Sequence, residues 1–474
     1  MATLIVQQPL DNPGTFDKVL PVGQEIIYTV SNSSVVSSFT GVKFVAEVHI
    51  SNSAPPNPNT TNDLVGTFKT TPNNAGVGMF NFRPIIESFV SADNLARQGS
   101  SYKTVVNTLD SNVPLHLIDK YSGNINTVRW LSVKFMVEYI DASGNIVTNS
   151  EVIAGTCVIF NGYLKYSDEL LLSGVDFGYD LYSNFLPNGV TKKFLTNAPA
   201  TQYANIEDYG TVALLMYNAY SVSNVNGTVS IEIKYYGSDG VYISYEEIYH
   251  NTVNGGFDYP QADIQASILF FGCFPANLQG SSTMFQNLVS AGTIQGGYYE
   301  LVVLNDAGQI MSSKYTVNLN CPTLKGFEPI RLTWLNQWGT WDYYTFTMKS
   351  SKMLSTKGST YQQLAGSWND SAYRIDSFKG GKKSFRVNAT EKITMNTDFV
   401  SESESEWFEE LINSPEVYIL EGFKTDTTNS ALNKYVTPVR LTTSNYTKKT
   451  IANDKLMQYT FEVEKSKTLR TQAV

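Results

Sequence analysis

The chain has only three imidazoles, His49, His116 and His250. None stands beside a serine or cysteine in a nucleophile-elbow context, and no H-E-x-x-H or H-x-x-E-H spacing occurs, so neither a nucleophilic triad nor a zinc-hydrolase helix is spelled out. No Walker loop is present, nor a G-x-G-x-x-G that opens a helix. Asp141, Asp239 and Asp306 could offer carboxylates to a calcium ion, but each lies in or beside a Gly-containing turn, where Asp is what the turn requires. Glu402, Glu404 and Glu406 could be a catalytic or metal-binding group, since paired acids serve glycoside hydrolysis. At the start of an apolar-faced segment they read better as compensation of a helix dipole on a solvated face. The residues therefore point to no catalytic group, no cofactor and no metal, and the chain is not expected to be an enzyme. A β-rich hydrolase is the least supported alternative.

The aromatic residues are more distinctive. Trp334, Trp338 and Trp341 place three of the six tryptophans within eight residues, and Tyr343 and Tyr344 follow. Indoles and phenols bury large areas and stack on rings, so such a group suits a core, a subunit contact or a ligand platform. These five residues are expected to make contacts with a neighbouring subunit, with plain core packing as the alternative. Asn336–Gly339 reads as a hairpin turn between them.

Strands must position these groups. Three segments, 133–153, 229–248 and 298–317, share one form: an alternating apolar run, a Gly flanked by Asp, Ser or Asn, and a second run. Each is a β-hairpin signal. Val42, Phe44, Ala46, Val48 and Ile50 also alternate along one strand, which puts His49 on the opposite face and predicts that it is exposed. Pro84–Val90 predicts a short helix with Pro in its first turn. Ser401–Ile412 carries a helix-start signature, with Trp407, Phe408, Leu411 and Ile412 on one face.

A shift of 187 residues aligns the first part of the chain with the second. Gly23 meets Gly210, EIIYTV meets VALLMY, and Val42, Phe44 and Ala46 meet Val229, Ile231 and Ile233. The expected fold is mainly β: tandem β-sandwich modules of immunoglobulin or fibronectin type, then a β-sandwich or barrel domain with one inserted helix. The expected boundaries are 1–160 for the first copy, 161–190 for a connector and 191–324 for the second copy. A C-terminal domain follows at 325–474, with its helix near 401–413. Lysines become frequent from 349 to 383. The polar excursions 51–63 and 91–128 are expected to reach toward neighbours.

Composition narrows the partners. The 474 residues are 42% hydrophobic, but only 16% are charged, against about 25% in an average soluble protein. The net charge of −9 argues against nucleic acid as the main partner and disfavours an anionic membrane. No apolar run is long enough for a membrane helix, and MATLIVQQPLDNPG lacks a basic n-region, so folding in a cytoplasm is expected. Cys157, Cys273 and Cys321 fit no zinc spacing and are expected to be buried thiols.

The phrase W-L-N-x-x-G-x-x-D-Y-x-x-F at 334–346 resembles segments in structural proteins of tailed bacteriophages, in particular phages of Bacteroidetes-type hosts. SEWFEELINSPEVYIL, YVTPVRL and LMQYTFEVEKS are similar to the closing part of phage tail and baseplate proteins. Phe194-Leu-Thr-Asn-x-Pro199 is similar to a segment between their β modules. The resemblance implies a virion structural protein of the tail tip, baseplate or connector, assembled in the host cytoplasm into a homo-oligomeric ring or complex. Its partners would be copies of itself and other virion proteins. The alternative is a carbohydrate-binding adhesin or receptor-binding fibre that meets a host surface glycan.

Overall fold

The computed structural model describes residues 3–9, 18–52, 55–96, 113–119, 121–165, 193–217, 230–248, 266–304, 308–319, 326–368, 371–422, 433–443, 445, 447, 457–467 and 469–470. The chain divides into two compact units. The first is built from Met1–Pro322, Leu335–Asp342 and Phe423–Asn433, and the second from Thr323–Trp334, Tyr343–Gly422 and Lys434–Val474. The protein is mainly β, as its composition and alternation predict.

The first unit opens with β1 (Leu4–Gln7), β2 (Lys18–Pro21), β3 (Ile27–Ser31), α1 (Ser33–Ser38), β4 (Thr40–Ser51), β5 (Leu64–Thr70) and β6 (Val77–Asn81). Pro84 lies in the first turn of α2 (Arg83–Ile86), which a 3-10 turn extends to Phe89, so the predicted short helix is present. Then come β7 (Tyr121–Gly123), β8 (Val128–Ile140), β9 (Ile146–Ile153) and β10 (Cys157–Phe160). One sheet has the order β2-β10-β8-β4-β5, with β9 also on β8, and a smaller one has the order β1-β3-β6. Phe44, Ala46 and Val48 of β4 and Val133, Phe135 and Val137 of β8 face Tyr28, Phe80 and Phe82 in a fully enclosed core.

The second half of this unit repeats the plan. Its elements are β11 (Thr201–Ala204), β12 (Thr211–Tyr217), β13 (Ser230–Tyr236), β14 (Tyr242–Ile248), β15 (Ala266–Gly272), α3 (Pro275–Ser281), α4 (Thr283–Ser290), β16 (Tyr298–Leu304) and β17 (Tyr315–Leu319). The larger sheet has the order β11-β17-β16-β13-β14. Element for element this matches β2-β10-β8-β4-β5, down to the parallel pairing of the outer strand in each, β2 on β10 and β11 on β17. β12 pairs with β15 as β3 pairs with β6, and a Pro-initiated helix follows each second strand. The 187-residue register thus lines up β4 with β13, which hold the same place in their sheets.

The halves are not independent, however. β7, from the first half, pairs with β15 and completes the order β12-β15-β7. Asn277, wholly enclosed, donates from Nδ2 to the carbonyls of His116 (3.0 Å) and Ile118 (2.6 Å) and accepts from the Gly210 N–H (2.9 Å). The described part of the 91–128 excursion is therefore an inward clasp, with Val113, Leu115, Leu117 and Ile118 fully buried. The expectation of a neighbour-reaching arm there is corrected: its alternating Val, Leu and Ile residues have a partner surface inside the chain.

Among the described residues four strand connections use one turn, three of them in hairpins (β8–β9, β13–β14 and the link from Leu335 to Trp341) and one between β5 and β6, which lie in different sheets. Asn73–Val77, Asp141–Asn145, Gly237–Val241 and Asn336–Thr340 each close with a hydrogen bond from the first residue's N–H to the fifth residue's carbonyl, at 2.8–2.9 Å. The fourth residue is always Gly with positive φ: Gly76 (73°), Gly144 (84°), Gly240 (77°) and Gly339 (70°). Only a residue without Cβ takes that conformation cheaply. In the first, second and fourth turns the opening Asn or Asp side chain also caps the closing N–H.

The second unit holds β18 (Ile330–Leu335), β19 (Trp341–Phe346), β20 (Ser351–Gln363), β21 (Gly366–Ser367), β22 (Arg374–Ile375), β23 (Gly381–Asn396), α5 (Glu402–Asn413), β24 (Val417–Leu420), β25 (Val436–Leu441), β26 (Thr460–Lys465) and β27 (Leu469–Arg470). One sheet runs β19-β18-β24-β25-β26-β23-β20, with β27 also on β23. The predicted helix is α5, and Ser401 and Glu404 form a reciprocal capping box: the Glu404 N–H donates to Ser401 Oγ (3.3 Å) and the Ser401 N–H to Glu404 Oε2 (2.7 Å). Trp407, Phe408 and Leu411 bury against the sheet. Removing that box by Ser401→Ala is expected to lower stability by about 1 kcal/mol, read as an earlier midpoint in denaturant while the Trp407 environment is followed by fluorescence.

Candidate functional site

Four of the five aromatics expected at a subunit contact are not on the surface. In the second unit Trp334 is fully enclosed and packs on Trp407 at a tilt of 44°, with ring centroids 4.8 Å apart. Tyr344, half-buried, meets Phe408 edge-on at 4.9 Å, and burial pushes its phenol well above the ordinary range. Tyr343 is buried under the Arg331 guanidinium, 5.3 Å from its ring centre, while Arg331 Nη1 donates to Thr345 Oγ1 (2.8 Å). These side chains build the core of the unit. The expected contact role is corrected for Trp334, Trp338, Trp341 and Tyr343, because an enclosed ring has no area to offer a neighbour.

Trp338 and Trp341 belong to the hairpin tip counted with the first unit, and they lock two of the distinctive sequence phrases together. Asn336 is the centre of this lock. Its Oδ1 accepts from the N–H groups of Trp338 (3.0 Å) and Thr340 (3.1 Å), and its Nδ2 donates to the Leu195 carbonyl and to Asp342 Oδ1, both at 2.9 Å. Thr196 Oγ1 donates to Asp342 Oδ1 (2.6 Å), and Thr340 Oγ1 to the Leu195 carbonyl (2.6 Å). Trp338 Nε1 donates to Asn197 Oδ1 (3.1 Å), whose Nδ2 donates to Gln337 Oε1 (2.9 Å). Phe194–Pro199 and Asn336–Asp342 are thus two halves of one polar clasp.

Trp341 Nε1 donates to the Asp93 carbonyl (2.8 Å), and its ring meets His116 edge-on at 4.8 Å. The Asp93 carboxylate, 1% exposed, accepts from the N–H groups of Ile125 (3.1 Å), Asn126 (2.7 Å) and Thr127 (3.3 Å) and from Thr127 Oγ1 (2.6 Å). Burial dominates and holds this carboxyl above its ordinary pKa, against the lowering effect of those bonds. Arg129 grips the same turn from its carbonyl side, donating to Ile125 O (2.8 Å) and Val128 O (2.9 Å).

His49 is also corrected: it is 1% exposed, with Nδ1 3.3 Å from the Asn62 carbonyl, because both faces of β4 are covered. Cys157 and Cys273 are buried free thiols, as expected, and burial pushes Cys273 well above the ordinary thiol range. Among the described residues no group of three His, Cys, Asp or Glu side chains converges as a metal site would. Asp306, His250, Cys321 and most of the 161–190 connector lie outside the described residues.

The surface that does stand out lies in the second unit. β20 and β23 pair antiparallel along thirteen residues, from Ser351–Thr394 to Gln363–Gly381. β26 and β27 support β23 only over 388–396, so the outer stretch, Gly358–Gln363 against Gly381–Val387, is a two-stranded ribbon among the described residues. Nearly all of β20 is exposed on both faces. At the end, Gly366–Ser367 pairs with Arg374–Ile375, and the Asp376 N–H donates to the Ala365 carbonyl (3.0 Å). This folded tip carries Trp368, Ile375 and Phe378, at 77%, 78% and 73% exposure, beside Leu364.

The ribbon's charge is opposite to that of the chain. Residues 351–396 hold eight Lys and Arg against three Asp and Glu, in a chain that carries 34 and 43. Lys352 pairs with Glu328 (2.8 Å), Lys392 with Glu462 (2.9 Å) and Lys379 with Asp376 (3.5 Å). Among the described residues Lys357, Lys382, Lys383 and Arg386 make no ion pair. The register sets Lys357 opposite Asn388, Ser359 opposite Arg386 and Tyr361 opposite Lys383, so Lys357, Lys383, Arg386 and Tyr361 share a face. The lysines are legible in the sequence, but the ribbon is not. Strands with no apolar face give no period-2 signal; the available clue was a long Lys/Ser/Thr run with bulky apolar residues clustered at 364–378.

No family model matches the sequence, and no curated protein matches it. Slight likeness to solved structures is found, of which three are given. Dimeric latent PorU from Porphyromonas gingivalis is 8% identical, with 83% of this chain and 32% of that one covered and a TM-score of 0.18. The Dpr2 Ig1-Ig2 complex with DIP-Theta Ig1-Ig3 is 8% identical, covering 68% and 99%, at 0.13. The Bacteroides ovatus mixed-linkage glucan utilization locus SGBP-B with a mixed-linkage heptasaccharide is 9% identical, covering 81% and 70%, at 0.12. The chain spans about a third of the length of the PorU chain it matches.

Proposed function

We propose that the chain is an assembly subunit, a virion structural protein of a tailed bacteriophage, and that the β20–β23 ribbon is its docking arm. The observation that carries the reading is the tip: three large apolar side chains, each more than 70% exposed, held on a hydrogen-bonded loop at the end of a two-stranded ribbon. Large apolar side chains this exposed on one short loop are a liability unless a partner covers them. A two-stranded hairpin is also marginal in water, so a ribbon that long gains stability when a surface receives it. The resemblance of its sequence phrases to phage tail and baseplate proteins supplies the virion context.

Light scattering and negative-stain electron microscopy of the full chain test the reading. Multi-subunit particles of uniform size are expected, and they should fall apart when the tip is made polar by Trp368→Asp with Phe378→Asp. A strictly monomeric protein at high concentration would overturn the assembly role. Capsid, portal or tail genes beside the coding sequence are expected for the virion assignment.

A further inference from the structure

We infer that the partner of the ribbon is the acidic body of a second copy of this chain, rather than the ribbon of that copy. The inference rests on the assembly reading and adds the occupant of the contact.

Charge decides between the possible partners. The 46 residues 351–396 carry a net charge of +5, while the remaining 26 basic and 40 acidic residues leave −14 on the rest of the chain. Two ribbons meeting across a two-fold axis would bring Lys357, Lys383 and Arg386 of each copy together, and like charges disfavour that. A ribbon laid on the rest of a second copy brings opposite charges together. Such a contact either exchanges reciprocally in a closed dimer or repeats into a ring or a filament.

The distribution of charge within the ribbon favours protein over nucleic acid. All the excess sits on the shaft; the tip, 364–380, holds Arg374 and Lys379 against Asp370 and Asp376 and is neutral. A phosphate backbone would be met by cations throughout. A neutral apolar end on a charged stem instead matches a protein interface, where the centre is apolar and depleted of charge and the rim is polar.

Zero-length carbodiimide cross-linking of the full-length oligomer tests this, because it joins amines only to carboxylates in direct contact. Covalent dimers are separated on a denaturing gel and the linked peptides mapped. Links enriched in the dimer band from Lys357, Lys382 or Lys383 to Asp or Glu outside 351–396 are expected. An intact oligomer whose dimer band lacks such links, or holds ribbon-to-ribbon links, overturns the inference and leaves the assembly reading standing. A chain with no oligomer overturns both. In parallel, Lys357→Glu with Lys383→Glu and Arg386→Glu is expected to weaken assembly about tenfold at 0.1 M salt, with an unchanged circular dichroism spectrum. Unchanged assembly, or co-elution of a single-stranded oligonucleotide with Trp368 quenching, overturns the choice of partner.

Discussion

Asp93→Ala is expected to destabilise the first unit by about 4 kcal/mol, since a buried donor left without a partner costs roughly 1–3 kcal/mol. The substitution removes the acceptor of three backbone N–H groups, Ile125, Asn126 and Thr127, and of the Thr127 hydroxyl. The first two are part-buried and recover some solvation; the Thr127 N–H and hydroxyl are enclosed. Arg129, which Asp93 faces across the turn, loses its nearby negative charge as well. The measurement is hydrogen exchange: the amides of Ile125–Thr127 should exchange faster, and so should the β7 and β15 amides that follow from them. Unchanged protection there would show that the turn holds without the carboxylate.

The same residue sets a pH dependence with a definite sign. Burial raises the pKa of folded Asp93 above its ordinary value, so the folded state holds that proton more tightly than the unfolded chain. Its contribution is fully present below the unfolded value and is lost as pH rises through the folded one. Wild type should therefore gain stability relative to Asp93→Asn as pH falls from neutrality through that window. A gap that narrows on acidification would contradict this. Asn is the proper reference because it keeps the side chain's size while removing the titration.

How much of this was legible in the sequence follows from what each signal encodes. Alternation records burial, so β4, β8, β13 and β16, each with an apolar row turned to a core, could be read as strands, and the shared register exposed the repeated plan. Turn chemistry records φ, so Gly144, Gly240 and the Asn336–Gly339 turn were legible too. The capping box gave the helix start at Ser401. Direction of burial was not encoded. His49 lies across from the apolar row, yet the second face of its sheet is covered, and one sequence shows only the strand and not what packs on it. The aromatic phrase at 334–346 had the composition of a contact surface, but composition does not separate a contact made with a neighbour from one made within the chain. The ribbon escaped for the opposite reason: with solvent on both faces, nothing selects alternation.

The four shared turns offer a controlled comparison that isolates the clasp. Gly144→Ala and Gly240→Ala place a Cβ at positive φ with nothing within 4 Å, so only the backbone conformation is penalised. Each should cost about 1 kcal/mol. Gly339 has the same turn and nearly the same φ, but a Cβ there would sit 2.1 Å from the Asn161 carbonyl oxygen and 3.2 Å from the Thr127 methyl. Backbone cannot rotate aside as a side chain can, so the tip must lift away. Gly339→Ala should therefore cost about 2–4 kcal/mol, the conformational penalty plus overpacking. Lifting the tip also strains the bonds from Asn336 and Thr340 to the Leu195 carbonyl. Trp338 and Trp341 are carried with it, so their fluorescence should shift toward that of solvated indole, while Trp334 and Trp407 in the second unit should keep theirs. Equal losses for all three glycine variants, with no change in the indole emission, would mean that the tip is held by its own hairpin alone and that the clasp contributes little.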